Sequence, residues 1–304
     1  MADGFCHASE LNFNIAKSSS LPRTHFFGNN FMFRIYCFKV VLFFVLVFSF
    51  GRTEAQTSPL FLSDGAPILH SVNPATGVQT SVGSLPSISV GLADFQGELW
   101  GIETDFGGPT DHLIRLDQNT GAILQSVPIV GTRVFGEGGF AIRSDGTAFV
   151  ADSSGVAMID LLTGIATDIS SSGIFVDGLD FDSQDNLFAI GSATNTSSNP
   201  GLFQIDQNTG ARTLIGNTNA PLESIFISSA GLSFDENDNL FWAINRNLLQ
   251  VDTTSGQASF LTNLSSGTIP SGAFGLTFVN PVPEPSGAAL IVLCGWYGLV
   301  RRRI

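Results

Sequence analysis

The chain has 304 residues, and its 26 Asp and Glu outnumber its 13 Lys and Arg, which gives a formal net charge of −13. The imbalance is greatest between residues 56 and 285, which contain 23 acidic residues, five Arg and no Lys. Such a surface repels nucleic acid and anionic lipid, so we expect neither as a partner. The three cysteines (Cys6, Cys37 and Cys294) lie outside this region, so its stability must come from packing.

The N-terminal region has the three parts of a secretory signal peptide. A positively charged stretch follows Met32, an apolar run covers residues 40–50, and a small-x-small cleavage motif ends at Ala55, directly before Gln56. The residues upstream of Met32 are polar and without pattern. We therefore predict that residues 1–55 are a signal peptide removed by signal peptidase, with Met32 as the true start of translation.

The body of the chain contains an internal repeat, which is marked by a turn that ends in glycine. An Asp or Asn side chain caps the backbone N–H groups of such a turn, and Gly takes the positive φ that other residues resist. Five copies recur at intervals of 44, 43, 46 and 46 residues: Asn73–Gly77, Asp117–Gly121, Asp160–Gly164, Asp206–Gly210 and Asp252–Gly256. Each copy is predicted to be a hairpin between two strands.

A second marker, glycine followed by an apolar residue, opens a short strand in each unit. The five markers are Gly91-Leu92, Gly139-Phe140, Gly178-Leu179, Gly231-Leu232 and Gly275-Leu276. Together with its neighbouring segments, each unit holds four strands, and no stretch between residues 56 and 280 shows a convincing helical period. Four-stranded units of this length predict an all-β fold, a β-propeller over residues 56–280.

The phase of the repeat predicts how the propeller closes. The last unit contributes only its first strand, from Gly275, whereas the start of the body, from Pro59 to Val82, contributes only later strands. One blade built from both termini would remove the two exposed edges of an open array. We predict five blades, with six or seven as the alternative if irregular strands within 102–139 or 216–230 have been merged.

The blade strands at residues 178–188 and 231–241, GLDFDSQDNLF and GLSFDENDNLF, resemble those of NHL-type and related WD40-like propellers. The resemblance covers most of the body but rests on generic motifs. It implies the fold and says little about activity, because propellers serve as hydrolases, as binding modules and as plain scaffolds.

Two acidic hairpins in these segments are candidate metal sites. Asp182 and Asp185 in the first, and Asp235 and Asp238 in the second, bring several oxygen atoms together within a few residues, which suits Ca²⁺. Neither hairpin has the spacing of a twelve-residue calcium loop, so the competing interpretation is that Asp and Asn simply build tight turns. Ca²⁺ is the one cofactor considered, and the preferred prediction is that the protein has none.

Glu137 and Asp177 precede the glycines of their units, where side chains are expected to face the axial channel in which propellers bind ligands. Two carboxylates near an axis could act as acid and base on a polysaccharide or a lactone. No nucleophile elbow, phosphate-binding glycine loop or zinc-protease motif supports an enzyme. We therefore expect no catalysis, with a hydrolase as the main alternative and a cation-dependent adhesin as a third interpretation.

The chain ends in a polar break, an apolar segment and a basic stop. Pro283-Glu284-Pro285 is followed by the uncharged residues 287–300 and then by Arg301-Arg302-Arg303. This ending resembles the PEP-CTERM sorting signal, which implies that an exosortase-type membrane protease processes residues 281–304. The apolar segment reaches only ~21 Å against a hydrocarbon thickness of ~30 Å, so the predicted transmembrane helix is short.

The arginines at its end are expected on the cytoplasmic side of the inner membrane, with the body outside. A buried C-terminal helix is the competing interpretation, and the prolines disfavour it. The sequence thus predicts an exported, non-catalytic propeller that is transiently anchored in the inner membrane and delivered to the cell envelope, outer surface or extracellular matrix. The sorting resemblance implies an association with exopolysaccharide, and we expect an envelope polysaccharide or a surface protein as partner.

Overall fold

The computed structural model describes residues 58–104, 111–131, 138–152, 155–170, 176–192, 200–220, 230–264 and 273–280. Several predicted features lie outside these residues, namely the signal peptide with Ala55 and Gln56, the carboxylate of Glu137, the motif Pro283-Glu284-Pro285, the apolar segment 287–300, and Arg301, Arg302 and Arg303. In the part of the chain that is described, no helix is long and apolar enough to cross a membrane.

The described residues form twenty β-strands. Those of the first half are β1 (Leu60–Asp64), β2 (Ile68–Val72), β3 (Gln79–Ser84), β4 (Ile88–Phe95), β5 (Glu98–Thr104), β6 (His112–Leu116), β7 (Ile123–Pro128), β8 (Gly139–Ile142), β9 (Thr147–Asp152) and β10 (Gly155–Asp160). Those of the second half are β11 (Ala166–Ser170), β12 (Val176–Phe181), β13 (Leu187–Ser192), β14 (Pro200–Ile205), β15 (Arg212–Asn217), β16 (Ala230–Phe234), β17 (Leu240–Ile244), β18 (Asn247–Val251), β19 (Ala258–Asn263) and β20 (Ala273–Phe278).

Antiparallel pairing joins these strands into five four-stranded sheets, the blades of a propeller. Blade 1 has the order β20-β1-β2-β3, and blades 2 to 5 are β4–β7, β8–β11, β12–β15 and β16–β19. In blade 1 the C-terminal strand β20 pairs with the N-terminal strand β1, with Leu62 opposite Leu276. The prediction of an all-β propeller with five four-stranded blades, one of them shared between the termini, is confirmed.

The innermost strands contact one another in ring order, β20 to β4, β8, β12, β16 and back to β20. Strands near the axis, such as β8 and β13, are buried along their whole length, whereas the outermost strand β7 alternates between half-buried and exposed positions. This gradient follows from packing each sheet between two neighbours, because only the outer strands reach solvent. Five hydrophobic clusters result, one between each pair of adjacent blades.

Phenylalanine side chains from adjacent blades pack against each other at three successive blade interfaces. Edge-to-face ring pairs form between Phe149 and Phe181, between Phe188 and Phe234, and between Phe241 and Phe278, with centroids 5.4, 5.3 and 5.0 Å apart. In each pair, the first ring belongs to the second strand of one blade, and the other ring belongs to the last residue of the innermost strand of the next blade. Such pairs contribute about 1 kcal/mol each beyond the burial of their area.

The marker glycine was predicted to open each innermost strand, but only Gly139 does so, and the other four lie one to three residues inside the strand. Glycine is required at these positions because the neighbouring strand is too close for a side chain. A Cβ on Gly178 would lie 2.6 Å from the Cβ of Leu232, and one on Gly231 would lie 2.3 Å from the Cβ of Leu276. Gly91, Gly139 and Gly275 meet their neighbours in the same way, at 2.5 to 2.8 Å. The five glycines therefore set how tightly the ring can close.

The repeated turns dock each blade onto the outer strand of the blade before it. Gly164 has a φ of +70°, and a Cβ there would lie 2.0 Å from the carbonyl oxygen of Pro128 in blade 2. The N–H of Val130 donates to the carbonyl of Gly164 at 2.9 Å, and the N–H of Ala166 donates to the carbonyl of Val130 at 2.8 Å. The glycine of the turn thus serves both the backbone conformation and the contact between blades.

Candidate axial site

A cavity of about 440 Å³ lies at the end of the ring where the innermost strands finish. Its apolar lining comes from the closing residues of the five innermost strands, which are Phe95, Ile142, Phe181, Phe234 and Phe278. Around them lie polar residues of the turns that lead into the second strands. Each blade therefore contributes one apolar residue, and the turns contribute most of the charged residues of the lining.

The axis is closed beneath this cavity. At the level of the marker glycines and the residues that follow them, the free space is only about 10 Å³, which is at the lower limit for a single water molecule. The close approach of Gly178 to Leu232 and of Gly231 to Leu276 accounts for this closure. A ligand of the cavity must therefore enter and leave at the same end of the ring.

Two carboxylates belong to the innermost strands that line the cavity. Asp180 accepts hydrogen bonds from the N–H of Phe181 at 2.9 Å and from the N–H of Phe234, in the next blade, at 2.7 Å. Asp94 accepts from the N–H of Gly97 at 3.1 Å and from the N–H of Asn280, in blade 1, at 3.1 Å. Both side chains thus connect neighbouring blades and also border the cavity.

Burial changes the acidity of both groups. Desolvation raises the pKa of Asp180 to about 7, against hydrogen bonds that lower it, and the nearby charge of Asp94 adds a smaller upward effect. Desolvation likewise raises the pKa of Asp94 to about 6, against the backbone N–H groups of Asn280 and Gly97. Near neutral pH, therefore, Asp180 is protonated in about half of the molecules and Asp94 in a smaller fraction.

The predicted metal-binding hairpins lie at the rim of this cavity, where they cap turns and connect blades. The backbone N–H and the hydroxyl of Ser144, in blade 3, donate to Asp185 at 3.1 and 2.6 Å. One blade further on, the N–H and hydroxyl of Ser183 donate to Asp238 at 2.8 and 2.6 Å, and these bonds lower the pKa of Asp238. The two carboxylates therefore hold adjacent turns together.

Asp182 and Asp235 have the corresponding role inside their own turns. Asp182 accepts from the N–H groups of Gln184 and Asn186 at 3.0 and 2.7 Å, and Asp235 accepts from the N–H groups of Asn237 and Asn239 at 2.9 and 2.8 Å. Among the described residues, no three His, Cys, Asp or Glu side chains are grouped so that they could hold a metal ion.

The charge of the cavity is strongly negative. Arg143 is the one basic residue among the described residues that line it, and its guanidinium donates to Asp145 and to Gln207. The acidic residues of the same lining are Asp94, Asp180, Asp182, Asp185, Asp235, Glu236 and Asp238. An arrangement of this kind favours a ligand that carries positive charge or donates hydrogen bonds.

Of the two carboxylates predicted to face the axis, only that of Asp177 belongs to the described residues, and it is not part of this lining. Asp177 is buried near the beginning of β12, at the opposite end of the innermost strand from Asp180, and Glu137 lies outside the described residues. The sequence signal that could have identified Asp180 is its place in the repeat, directly before the aromatic residue that closes an innermost strand. Asp94 precedes Phe95 in the same manner.

Comparisons with known proteins assign the chain neither a family nor a site. No protein-family model matches the chain, and no curated protein sequence matches it. The chain is similar in structure to the hydrazine synthase of Kuenenia stuttgartiensis, with 14% identity and a TM-score of 0.38, over 56% of this chain and 47% of that one.

Two further solved structures have similarly low sequence identity and TM-scores. A protein of unknown function from Bacteroides caccae aligns with 11% identity and a TM-score of 0.47, over 74% of this chain and 100% of that one. TolB from Acinetobacter baumannii aligns with 11% identity and a TM-score of 0.42, over 70% of this chain and 54% of that one. This chain thus spans about half the length of the hydrazine synthase and TolB chains, and no site is transferred from them.

Proposed function

We propose that the protein is an exported, non-catalytic binding or scaffold propeller of the cell envelope or extracellular matrix, sorted by its PEP-CTERM-like tail. The observation that carries this proposal is the position of the two ends of the body. Leu60 pairs with Phe278, the hydroxyl of Ser58 donates to the side-chain oxygen of Asn280 at 2.8 Å, and the N–H of Val279 donates to the carbonyl of Pro59.

Both ends of the body therefore leave the ring together, beside the axial cavity that Asn280 also lines. Only six residues separate Asn280 from the apolar segment that begins at Gly287, and six extended residues span at most about 20 Å. A tail that is inserted in the inner membrane would hold the ring by its axial end and direct the opposite end outward. This geometry suits a tethered scaffold that is released or re-anchored by one cut.

The partner that suits the axial cavity carries positive charge or many hydroxyl groups, because acidic residues dominate the lining. An envelope polysaccharide or a surface protein meets that requirement. Signal peptidase and an exosortase-type enzyme are the processing partners that the two terminal segments require. No step of this proposed function needs a metal ion or another cofactor.

The sorting motif tests the proposal. Replacement of Pro283, Glu284 and Pro285 by alanine removes the polar break that the sorting enzyme would read, so the protein should accumulate in the inner-membrane fraction instead of the outer surface or medium. Ser286→Ala, next to the motif, serves as the control and should leave delivery unchanged. Surface delivery of the triple variant at the level of the wild type would overturn the sorting proposal.

A hydrolase is the second candidate function, and the raised pKa values of Asp94 and Asp180 are the observation that favours it. Such carboxylates can donate and accept protons near neutral pH. Turnover of polysaccharides and lactones by the wild type, lost in Asp94→Asn and Asp180→Asn, would establish an enzyme. Glu137→Gln and Asp177→Asn test the two carboxylates that the sequence predicted near the axis in the same assay. The binding proposal predicts no turnover in any of them.

A further inference from the structure

A groove of about 860 Å³ lies between blades 2 and 3, apart from the axial cavity except that Phe95 borders both. We name it the 2–3 groove. Its apolar lining includes Phe95, Trp100, Met158, Leu162 and Ile165. The residues come from both blades, so the groove is an opening in an interface that is otherwise filled by a hydrophobic cluster.

The turn that borders the groove departs from its four counterparts in the repeat. Leu162 is 82% exposed, and the corresponding positions in the other turns are Ala75, Asn119, Asn208 and Thr254. A single exposed apolar side chain is common on protein surfaces. Here it is not isolated, because Val130 and Ile165 form a bridge beside the same turn and are 47% and 54% exposed. The result is a contiguous apolar patch at the mouth of a groove.

Trp100 gives the groove a large aromatic surface in its floor. The residue is 5% exposed and belongs to the lining of the 2–3 groove. Its indole Nε1 is buried from solvent and has no hydrogen-bond partner among the described residues. The groove therefore meets the indole as an apolar surface.

The charges around the groove define its occupant further. The described lining includes Glu98, Asp145 and Asp160 and no Lys or Arg. Arg115 and Arg143 pair with the first two from outside the groove, so the negative charge at the rim comes from Asp160, in a body that is acidic as a whole. A second copy of this body is a poor match, because residues 56–285 contain only five basic residues against 23 acidic ones. A partner rich in both apolar and basic side chains is complementary.

We propose that the 2–3 groove binds a segment of a partner protein in which apolar side chains alternate with or are flanked by Lys or Arg. The apolar side chains fill the groove against Phe95 and Trp100 and cover Leu162, and the basic groups meet the negative charge of Asp160. This docking surface is independent of the axial cavity and of any sorting of the tail.

The test uses the protein as its own cells process it and a fluorescently labelled heptapeptide of alternating Lys and Leu as the probe. Binding is followed by fluorescence anisotropy of the label. The same peptide with Ser in place of Leu, and the same peptide with Glu in place of Lys, should each bind at least about tenfold more weakly, which corresponds to about 1.4 kcal/mol. Equal binding of all three peptides would overturn the proposal.

The repeat itself supplies a matched variant. Leu162→Asn places the residue of two other turns into this one, so the turn should still form, and the affinity for the Lys–Leu peptide should fall at least about fivefold. Asn208→Ser, in the corresponding turn of blade 4, should leave the affinity unchanged. An unchanged affinity in Leu162→Asn, or a loss equal to it in Asn208→Ser, would contradict a docking site in this groove. So would a wild-type dimer that Leu162→Asn dissociates, because the occupant would then be a second copy.

Discussion

Burial at the axial cavity raises the pKa of Asp180 to about 7 and that of Asp94 to about 6, whereas exposed turn carboxylates such as Asp117 have a lowered pKa because nearby N–H and hydroxyl groups bind them. The carboxyl groups with a raised pKa and those with a lowered pKa change the free energy of unfolding in opposite directions as the pH rises. A carboxyl group with a raised pKa binds its proton more tightly in the folded state, so the free energy of unfolding falls as the pH rises from about 4 to about 7. A carboxyl group with a lowered pKa instead stabilises the folded state above about pH 4, and this contribution is lost as the pH falls further.

Asp180→Asn should therefore make stability less dependent on pH. The melting temperature of the wild type is expected to be higher at pH 5 than at pH 8, by several degrees for a contribution on the order of 1–3 kcal/mol. The variant should lose most of that difference, because it cannot ionise. Thermal unfolding followed by circular dichroism from pH 5 to pH 8 measures it. Asp117→Asn is the control and should keep the slope of the wild type, and an undiminished slope in Asp180→Asn would show that its pKa is not raised.

The importance of Asp94 and Asp180 could not be predicted from the spacing of the glycine markers. Asp180 follows Gly178 by two residues and Asp94 follows Gly91 by three. The strand pair that contains Asp94 also closes with a two-residue turn after Phe95, whereas the pair of Asp180 closes with five residues. One extra residue between the glycine and the closing aromatic residue is enough to break the spacing on which a repeat pattern relies.

Individual elements were more accessible to sequence reasoning, because the chemistry of turns is local. The turn from Asp160 to Gly164 has the cap and the positive φ that its residues predict, with the N–H groups of Leu162 and Thr163 bound by Asp160 at 2.9 and 2.8 Å. What the pattern could not show is that the same turn packs against blade 2. That contact depends on the angle between neighbouring blades, which no residue within the turn determines.

The close contact at the marker glycine of each innermost strand leads to a prediction about how adjacent strands pack. Gly178→Ala would place a Cβ at 2.6 Å from the Cβ of Leu232, so the innermost strands of blades 4 and 5 must move apart. We expect a loss of about 1–3 kcal/mol of stability, seen as a fall of several degrees in the melting temperature. Ser259→Ala, on the exposed face of the outermost strand β19, is the control. Gly178→Ala with the stability of the wild type would mean that the ring is looser than the packing of these strands indicates.

The acidic hairpins lead to a second prediction about elements. Asp185 and Asp238 bind the turns of the preceding blades through Ser144 and Ser183, so the hairpins should not need Ca²⁺. Addition of EDTA or of millimolar Ca²⁺ should leave the melting temperature unchanged within about 1 °C, whereas Ser144→Ala should lower it slightly by removing one interblade hydrogen bond worth about 1 kcal/mol. A large fall with EDTA that Ca²⁺ reverses would instead establish the cation-dependent binder.

At the scale of the whole molecule, five blades form a ring that is closed in two senses. Pairing of β20 with β1 closes it along the chain, and the glycine contacts close its axis to about 10 Å³ of free space. The first closure was predictable from the complementary fragments at the two ends of the repeat. The second was not, because the width of an axial channel depends on the side chains of five strands that are far apart in the sequence.

The closed ring leaves the axial cavity, the 2–3 groove and the two chain ends as the features that can mediate function. The ends lie side by side at the axial cavity, where Ser58 contacts Asn280. A tether attached after Asn280 would start beside the cavity. The proposed export, processing and binding would be connected by this placement, and processing is the part that can be measured without a known ligand.

The intact mass of the protein recovered from its native cells, together with the cell fraction that contains it, is the most direct test. We predict a mass that corresponds to a chain beginning at about Gln56 and ending near Pro283, found outside the inner membrane, because both terminal segments are then removed from a folded propeller. A mass that retains Arg301 to Arg303, or a chain that retains residues 1–55 in the cytoplasm, would contradict an exported and sorted propeller.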